Sequence, residues 1–206
     1  MSQIKLLHSG GNGVSIVAPD SNPASDRTLK LPSDGDGTIL TTNSSVGKIL
    51  QVVQQIRTDT VSESSIGNGA TGSTDVLTKA ITPSSASSKV LVILNATLGM
   101  SNGPERLGML LFVGGSVVDA ARADAASNRG RASVFSSFPH DTSHATFVAH
   151  TFLHSPNTTS STTYSYRFIS GSGATTTMYL NRTGNDSDAT WMSRGTSSIT
   201  LMEVAV

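Results

Sequence analysis

Residues 164–168 read Tyr164-Ser165-Tyr166-Arg167-Phe168, three aromatics alternating with two polar residues. Successive side chains of a β-strand point to opposite faces, so this spacing predicts a strand with one buried and one wet face. Upstream, Val90-Leu91-Val92-Ile93-Leu94 is apolar at every position. In an antiparallel sandwich such a run has two readings. It is either a central strand of a two-layer core, or a strand covered by the core on one side and a neighbouring subunit on the other. Between these stretches, Gly114-Gly115 separates Leu110-Leu111-Phe112-Val113 from Val117-Val118 and predicts a two-residue hairpin.

The pattern extends in both directions. Strand-like runs fall at 49–57, 76–81, 89–98, 106–113, 116–121, 132–138, 145–154, 162–170, 176–181 and 198–206. The connections carry Gly, Pro, Asn and Ser clusters, as turns require. Residues 118–126 are alanine-rich but charged and irregular, and read as a strand end plus a loop. Composition agrees: 33 Ser, 25 Thr and 19 Gly are poor helix formers, and Thr favours strands. With 36% hydrophobic residues gathered in short runs and no net charge, the 206-residue chain is not of the disordered class. The fold class read from these features is all-β, with a β-sandwich head over residues 47–206.

Residues 1–46 differ. Four small hydrophobic clusters, at 4–7, 14–17, 29–31 and 39–40, are separated by turn formers such as Gly10-Gly11-Asn12-Gly13 and Ser33-Asp34-Gly35-Asp36-Gly37. They predict very short strands joined by tight turns. A segment this thin is marginal alone. It is expected to pack against copies of itself or another protein, with Val14, Ile16, Leu29, Leu31, Ile39 and Leu40 as the anchoring side chains. Folding back on its own head domain is the plainer alternative.

Fourteen basic residues balance fourteen acidic ones and no polybasic run is present, so nucleic acid is not an expected partner. No cysteine is present, which excludes disulfides, thiolate chemistry and Cys-based zinc sites. No run approaches membrane-spanning length, and the opening residues hold only a four-residue apolar stretch. The expectation is synthesis in the cytoplasm, no membrane insertion, and release, if any, by cell lysis rather than by the usual export route.

Two parts of the chain are similar to a known kind of protein. One is Arg27-Thr28-Leu29-Lys30-Leu31-Pro32-Ser33-Asp34-Gly35-Asp36-Gly37-Thr38-Ile39-Leu40-Thr41-Thr42, preceded by Val17-Ala18-Pro19-Asp20. The other is Tyr179-Leu180-Asn181-Arg182-Thr183-Gly184-Asn185-Asp186-Ser187-Asp188 with Ser197-Ser198-Ile199-Thr200-Leu201-Met202-Glu203-Val204. Both resemble tail fibres and virion knob proteins of tailed bacteriophages, especially aquatic and cyanophage types. Ser155-Pro156-Asn157-Thr158-Thr159-Ser160 and Ser127-Asn128-Arg129-Gly130-Arg131-Ala132 add to the likeness. The resemblance implies a homotrimer, with an intertwined β arm followed by a jelly-roll-like head similar to C1q or tumour-necrosis-factor heads. It departs from longer fibres in having almost no shaft.

Several residue groups are candidates for chemistry. His140, His144, His150 and His154 fall within fifteen residues. On a strand, His150 and His154 sit about 13 Å apart, too far to clamp one metal within a chain. One His per subunit would converge on a three-fold axis; a hydrogen-bonded or surface histidine is the simpler reading. Asn185-Asp186-Ser187-Asp188 lacks the ligand spacing of a calcium loop and reads as an Asx-type turn. The loop charges Arg122, Asp124, Arg129 and Arg131 are candidates for inter-subunit pairs or host-glycan contacts. Trp191 with Arg194, near Tyr179, is a candidate sugar-stacking platform, against the plainer reading of a core or interface tryptophan. The chain has no Gly-x-Ser-x-Gly, no His-Glu-x-x-His and no phosphate loop, and its carboxylates are scattered.

The sequence therefore predicts a non-enzymatic virion protein without a cofactor. It would be a short trimeric tail fibre or knob that attaches to host surface glycan or protein and is anchored to other virion proteins by its arm. A capsid decoration or cement protein, sometimes called a head fibre, is the alternative.

Overall fold

The computed structural model describes residues 3–7, 9–11, 13–17, 49–102, 105–138 and 141–206, and the chain divides into two compact units, Met1–Ser44 and Ser45–Val206. In the first unit, β1 (Gln3–Leu7) and β2 (Gly13–Val17) form an antiparallel hairpin. Val14 pairs with Leu6 and Ile16 with Ile4. The turn between them uses Gly11 at φ +94°, a conformation that glycine adopts without steric cost. Leu6 and Leu7 are exposed, and an isolated two-stranded hairpin is marginal in water. Leu29, Leu31, Ile39 and Leu40 lie outside the described residues.

The second unit contains β3 (Ile49–Arg57), β4 (Val61–Ile66), β5 (Leu77–Ile81), β6 (Lys89–Met100), β7 (Glu105–Val113), β8 (Ser116–Val117), β9 (Val134–Phe138), β10 (Thr146–His154), β11 (Thr162–Ser170), β12 (Thr176–Leu180) and β13 (Ser197–Val204). Among the described residues the one helical element is a single 3-10 turn, Asp119–Ala121. The strand expected at 116–121 is thus cut to two residues before that turn. One strand escapes the sequence reading: β4, Val61-Ser62-Glu63-Ser64-Ser65-Ile66, is too polar to show an apolar period. It holds its place by pairing with β12 across a bulge.

Two antiparallel sheets result. The first orders β3-β13-β6-β12-β4, with β10 also paired to β6. The second orders β5-β11-β7-β8, with β9 also on β7. The pairings are nested: β3 with β13, β4 with β12, β5 with β11, β6 with β10, β7 with β9. This unit is therefore a long hairpin folded over so that its paired arms are shared between the two sheets. Gly114 and Gly115, at φ +57° and +81°, close the β7–β8 hairpin with the backbone hand that type I′ turns need.

Inward side chains of both sheets form one core. Val90, Val92, Leu94, Leu98, Ile199 and Leu201 come from the first sheet, and Leu107, Met109, Leu111 and Phe168 from the second. Tyr164, Tyr166 and Phe168 are all fully buried, as the alternation predicts. The opposite face of β11 is not simply wet. Ser165 is buried as well, donating to Asp75 Oδ1 at 2.9 Å, while Arg167 pairs with the same carboxylate at 2.6 Å.

The outer face of the first sheet is different in kind. The register aligns Leu153, Leu91, Met202 and Val52 in one row across β10, β6, β13 and β3. The adjacent rows are Thr151, Ile93, Thr200 and Gln54, then Ala149, Asn95, Ser198 and Ile56. None of these twelve residues is charged. Val52, Ile56 and Leu153 are exposed, as is Phe147 next to them on β10.

Candidate functional site

The outer face of the second sheet carries a groove of about 870 Å³. Its floor follows from strand parity. On β7 the residues 107, 109 and 111 point into the core, so Arg106, Gly108, Leu110 and Phe112 point out. Leu110 and Phe112 would be stranded in water but for residues 117–133, which fold over them. Ala132 and Ile169 join them in a small second hydrophobic cluster. That overlying segment is pinned to β7 by Val118 N–H donating to the Leu111 carbonyl and Ser133 N–H to the Met109 carbonyl.

The segment forms one wall of the groove. Within it, Ala123 N–H donates to the Ala132 carbonyl, and Arg131 Nε donates to the Ala123 carbonyl at 2.6 Å. The other wall is residues 68–71, held against β11 by Gly69 N–H donating to the Ser170 carbonyl and Ser170 N–H to the Ala70 carbonyl. Phe135 occupies space that two glycines leave open. A Cβ at Gly108 would run into the Val134 carbonyl oxygen and the Phe135 ring, and one at Gly171 would press on Arg106 and the same ring.

Arg106, Arg122, Arg129 and Arg131 all line this groove. The sequence predicts three of them as a contact loop, and the fold brings them together. Arg106 escapes the sequence reading, although the parity of β7 places it outward. Asp124 is exposed on the same loop but lines no part of the groove. Asp119 pairs with Arg122 and, at 3.6 Å, with Arg131. Arg106 and Arg129 have no ion-pair partner among the described residues. The groove thus concentrates positive charge on a chain whose overall charge is zero.

The second expected platform does not join it. Trp191 is 74% exposed, so it is not a core residue. Arg194 is committed to Asp186, which also pairs with Arg182 at 3.3 Å, and Arg182 in turn stacks on the Tyr179 ring at 3.8 Å. These ion pairs, with Arg194 the largest influence, hold the Asp186 carboxyl below the usual range. Asp186 therefore serves a structural network.

His150 and His154 lie on the inward face of β10 and are partly buried. Each Nδ1 is 2.8 Å from a tyrosine hydroxyl of the other sheet, Tyr166 and Tyr164 respectively. Burial lowers the pKa of both imidazoles and raises that of both phenols. The neutral imidazole has one N–H donor and one acceptor nitrogen, so each contact is a single hydrogen bond whose direction follows the tautomer. His144 sits in the preceding turn, 3.4 Å from Asp141, and His140 lies outside the described residues. No group of three or more metal-ligating side chains occurs among the described residues, and no helix among them is long and apolar enough to cross a membrane.

Compared with known proteins, the chain matches no protein-family model and no curated sequence. The fold and groove define it as an all-β sandwich protein with an arginine-lined surface groove.

Proposed function

We propose that the protein is a non-enzymatic bacteriophage virion component, a short trimeric tail fibre or knob whose head contacts the host surface. One observation carries this reading: the two outer faces of the head differ sharply. The first sheet presents twelve aligned residues without a charge, and the second presents the arginine groove.

The uncharged face suits packing of chain against chain. Four adjacent strands, each contributing about five residues, give it an area on the order of 300 Å². Each partner in a standard protein interface buries roughly 800 Å², so this face would form the uncharged centre of one. On this reading, Leu91 and Ile93, which lie partly exposed on the outer side of the central strand β6, are the side chains that a neighbouring subunit covers. The nested strand pairing supports a jelly-roll head of the C1q or tumour-necrosis-factor kind, since that fold is also a long hairpin wrapped into two sheets. The arm would anchor the trimer to other virion proteins. Three grooves on one rigid trimer, and several trimers on one particle, would give avidity from weak single contacts.

The test is to locate the protein on particles with a labelled antibody against the head. Label at the tail supports the fibre reading. Label on the shell supports the capsid decoration alternative, and particles without label contradict both.

A further inference from the structure

Four arginines line the groove with little to neutralise them. Arg122 and Arg131 share Asp119, and Arg106 and Arg129 have no ion-pair partner among the described residues. Both unpaired arginines are exposed, so they stay hydrated and available. Guanidinium forks match carboxylate and phosphate oxygens in pairs, and four of them along one groove favour an anion over any neutral ligand. The groove also has an apolar side, because Phe135 is 38% exposed beside Leu110 and Ile169. Asn68, Asn128 and Ser127 add neutral hydrogen-bonding groups at the rim. A volume of about 870 Å³ is large enough for several linked sugar rings.

We infer that the groove binds an acidic polysaccharide, with its carboxylate or phosphate groups on Arg106 and Arg129 and a sugar face on Phe135. This deepens the proposed attachment role and rests on it. A single-stranded nucleic acid would also meet arginine and an aromatic ring. Its recognition, however, uses a succession of stacking rings along a basic channel, and this groove exposes one. The groove lies on the sheet opposite the uncharged face, so trimer packing through that face leaves it open.

The experiment is calorimetric titration of the full chain with four probes: oligogalacturonate, a phosphomannan, neutral dextran and a single-stranded oligonucleotide. The expected result is binding of one or both acidic glycans, weakening as salt rises, with no binding of dextran. If only oligogalacturonate binds, carboxylate is the recognised group; if only phosphomannan binds, phosphate is. The double variant Arg106→Gln/Arg129→Gln should weaken binding by about tenfold or more while its melting temperature is unchanged. Arg194→Gln, outside the groove, should bind as the parent does. Failure of both acidic glycans to bind, equal binding of the oligonucleotide, or loss of binding in Arg194→Gln alone would overturn the inference. A chain that is trimeric yet binds no acidic glycan would sink this inference and leave the virion reading standing.

Discussion

The Nδ1 atom of His150 lies 2.8 Å from the hydroxyl of Tyr166, and four residues on His154 repeats the contact with Tyr164. The imidazoles line up along β10 with the Phe152 ring between them. Together these pairs tie an edge strand of one sheet to a central strand of the other. They also give two of the four clustered histidines a hydrogen-bonded place inside the head.

Removing the hydroxyl tests that tie. Tyr166→Phe leaves the Nδ1 of a half-buried imidazole without its hydrogen-bond partner and should cost about 1–3 kcal/mol in urea unfolding. A double-mutant cycle with His150→Phe should recover part of that loss. Strict additivity of the two substitutions would show that the pair is not coupled.

Acid should weaken the head in two stages. His150 and His154 have pKa values lowered from 6.5 by burial, so the unfolded chain takes up their protons first. Stability is full above pH 6.5 and declines as pH falls below it. The second stage belongs to Glu203, which is fully buried. Burial alone would raise its pKa, but hydrogen bonds from Gln51, Ser84 and Ser88 outweigh this and hold it at about 2 against an ordinary 4.5. Its contribution, about 3 kcal/mol, is present above pH 4.5 and lost towards pH 2. Unfolding measured from about pH 8 down to about pH 2 should show both declines, and Glu203→Gln should shrink the lower one, leaving the part that belongs to paired carboxylates such as Asp186.

Asn181 is a third point of leverage. It is fully buried at φ +65°, donates from Nδ2 to the Arg57 and Asp59 carbonyls at 2.8 Å, and accepts from Ser197 Oγ. Asn181→Ala should cost about 3 kcal/mol in urea unfolding by stranding those partners. Asn181→Gly relieves the backbone strain but not the lost bonds, so it should recover only a minor part. Full recovery with glycine would assign the effect to φ instead.

Much of the head is legible in the sequence where one local rule decides the outcome. The ring alternation at 164–168 can bury its aromatics only as a strand, and Gly114-Gly115 supplies the two positive φ values that a tight hairpin needs. β4 is not legible, because Glu63 and its serines carry no apolar signal and the strand exists through its pairing with β12. The groove is half legible. Its loop arginines stand out, but Asn68, Arg106 and Ile169 come from three distant segments joined only by the fold.

The uncharged sheet face yields a direct test. Leu91→Asp with Met202→Asp places two charges on partly exposed positions of the outer face. The variant should keep the parent's far-UV circular dichroism but sediment as a smaller species, since a desolvated, unpaired charge opposes association. A variant that assembles like the parent would assign the contact to another surface.

Whether these chains become stable by packing against one another is measured most directly by sedimentation equilibrium of the intact chain across a wide concentration range. The expected particle has about three times the 21.3 kDa chain mass. A fully folded single-chain species at the highest concentration would contradict it.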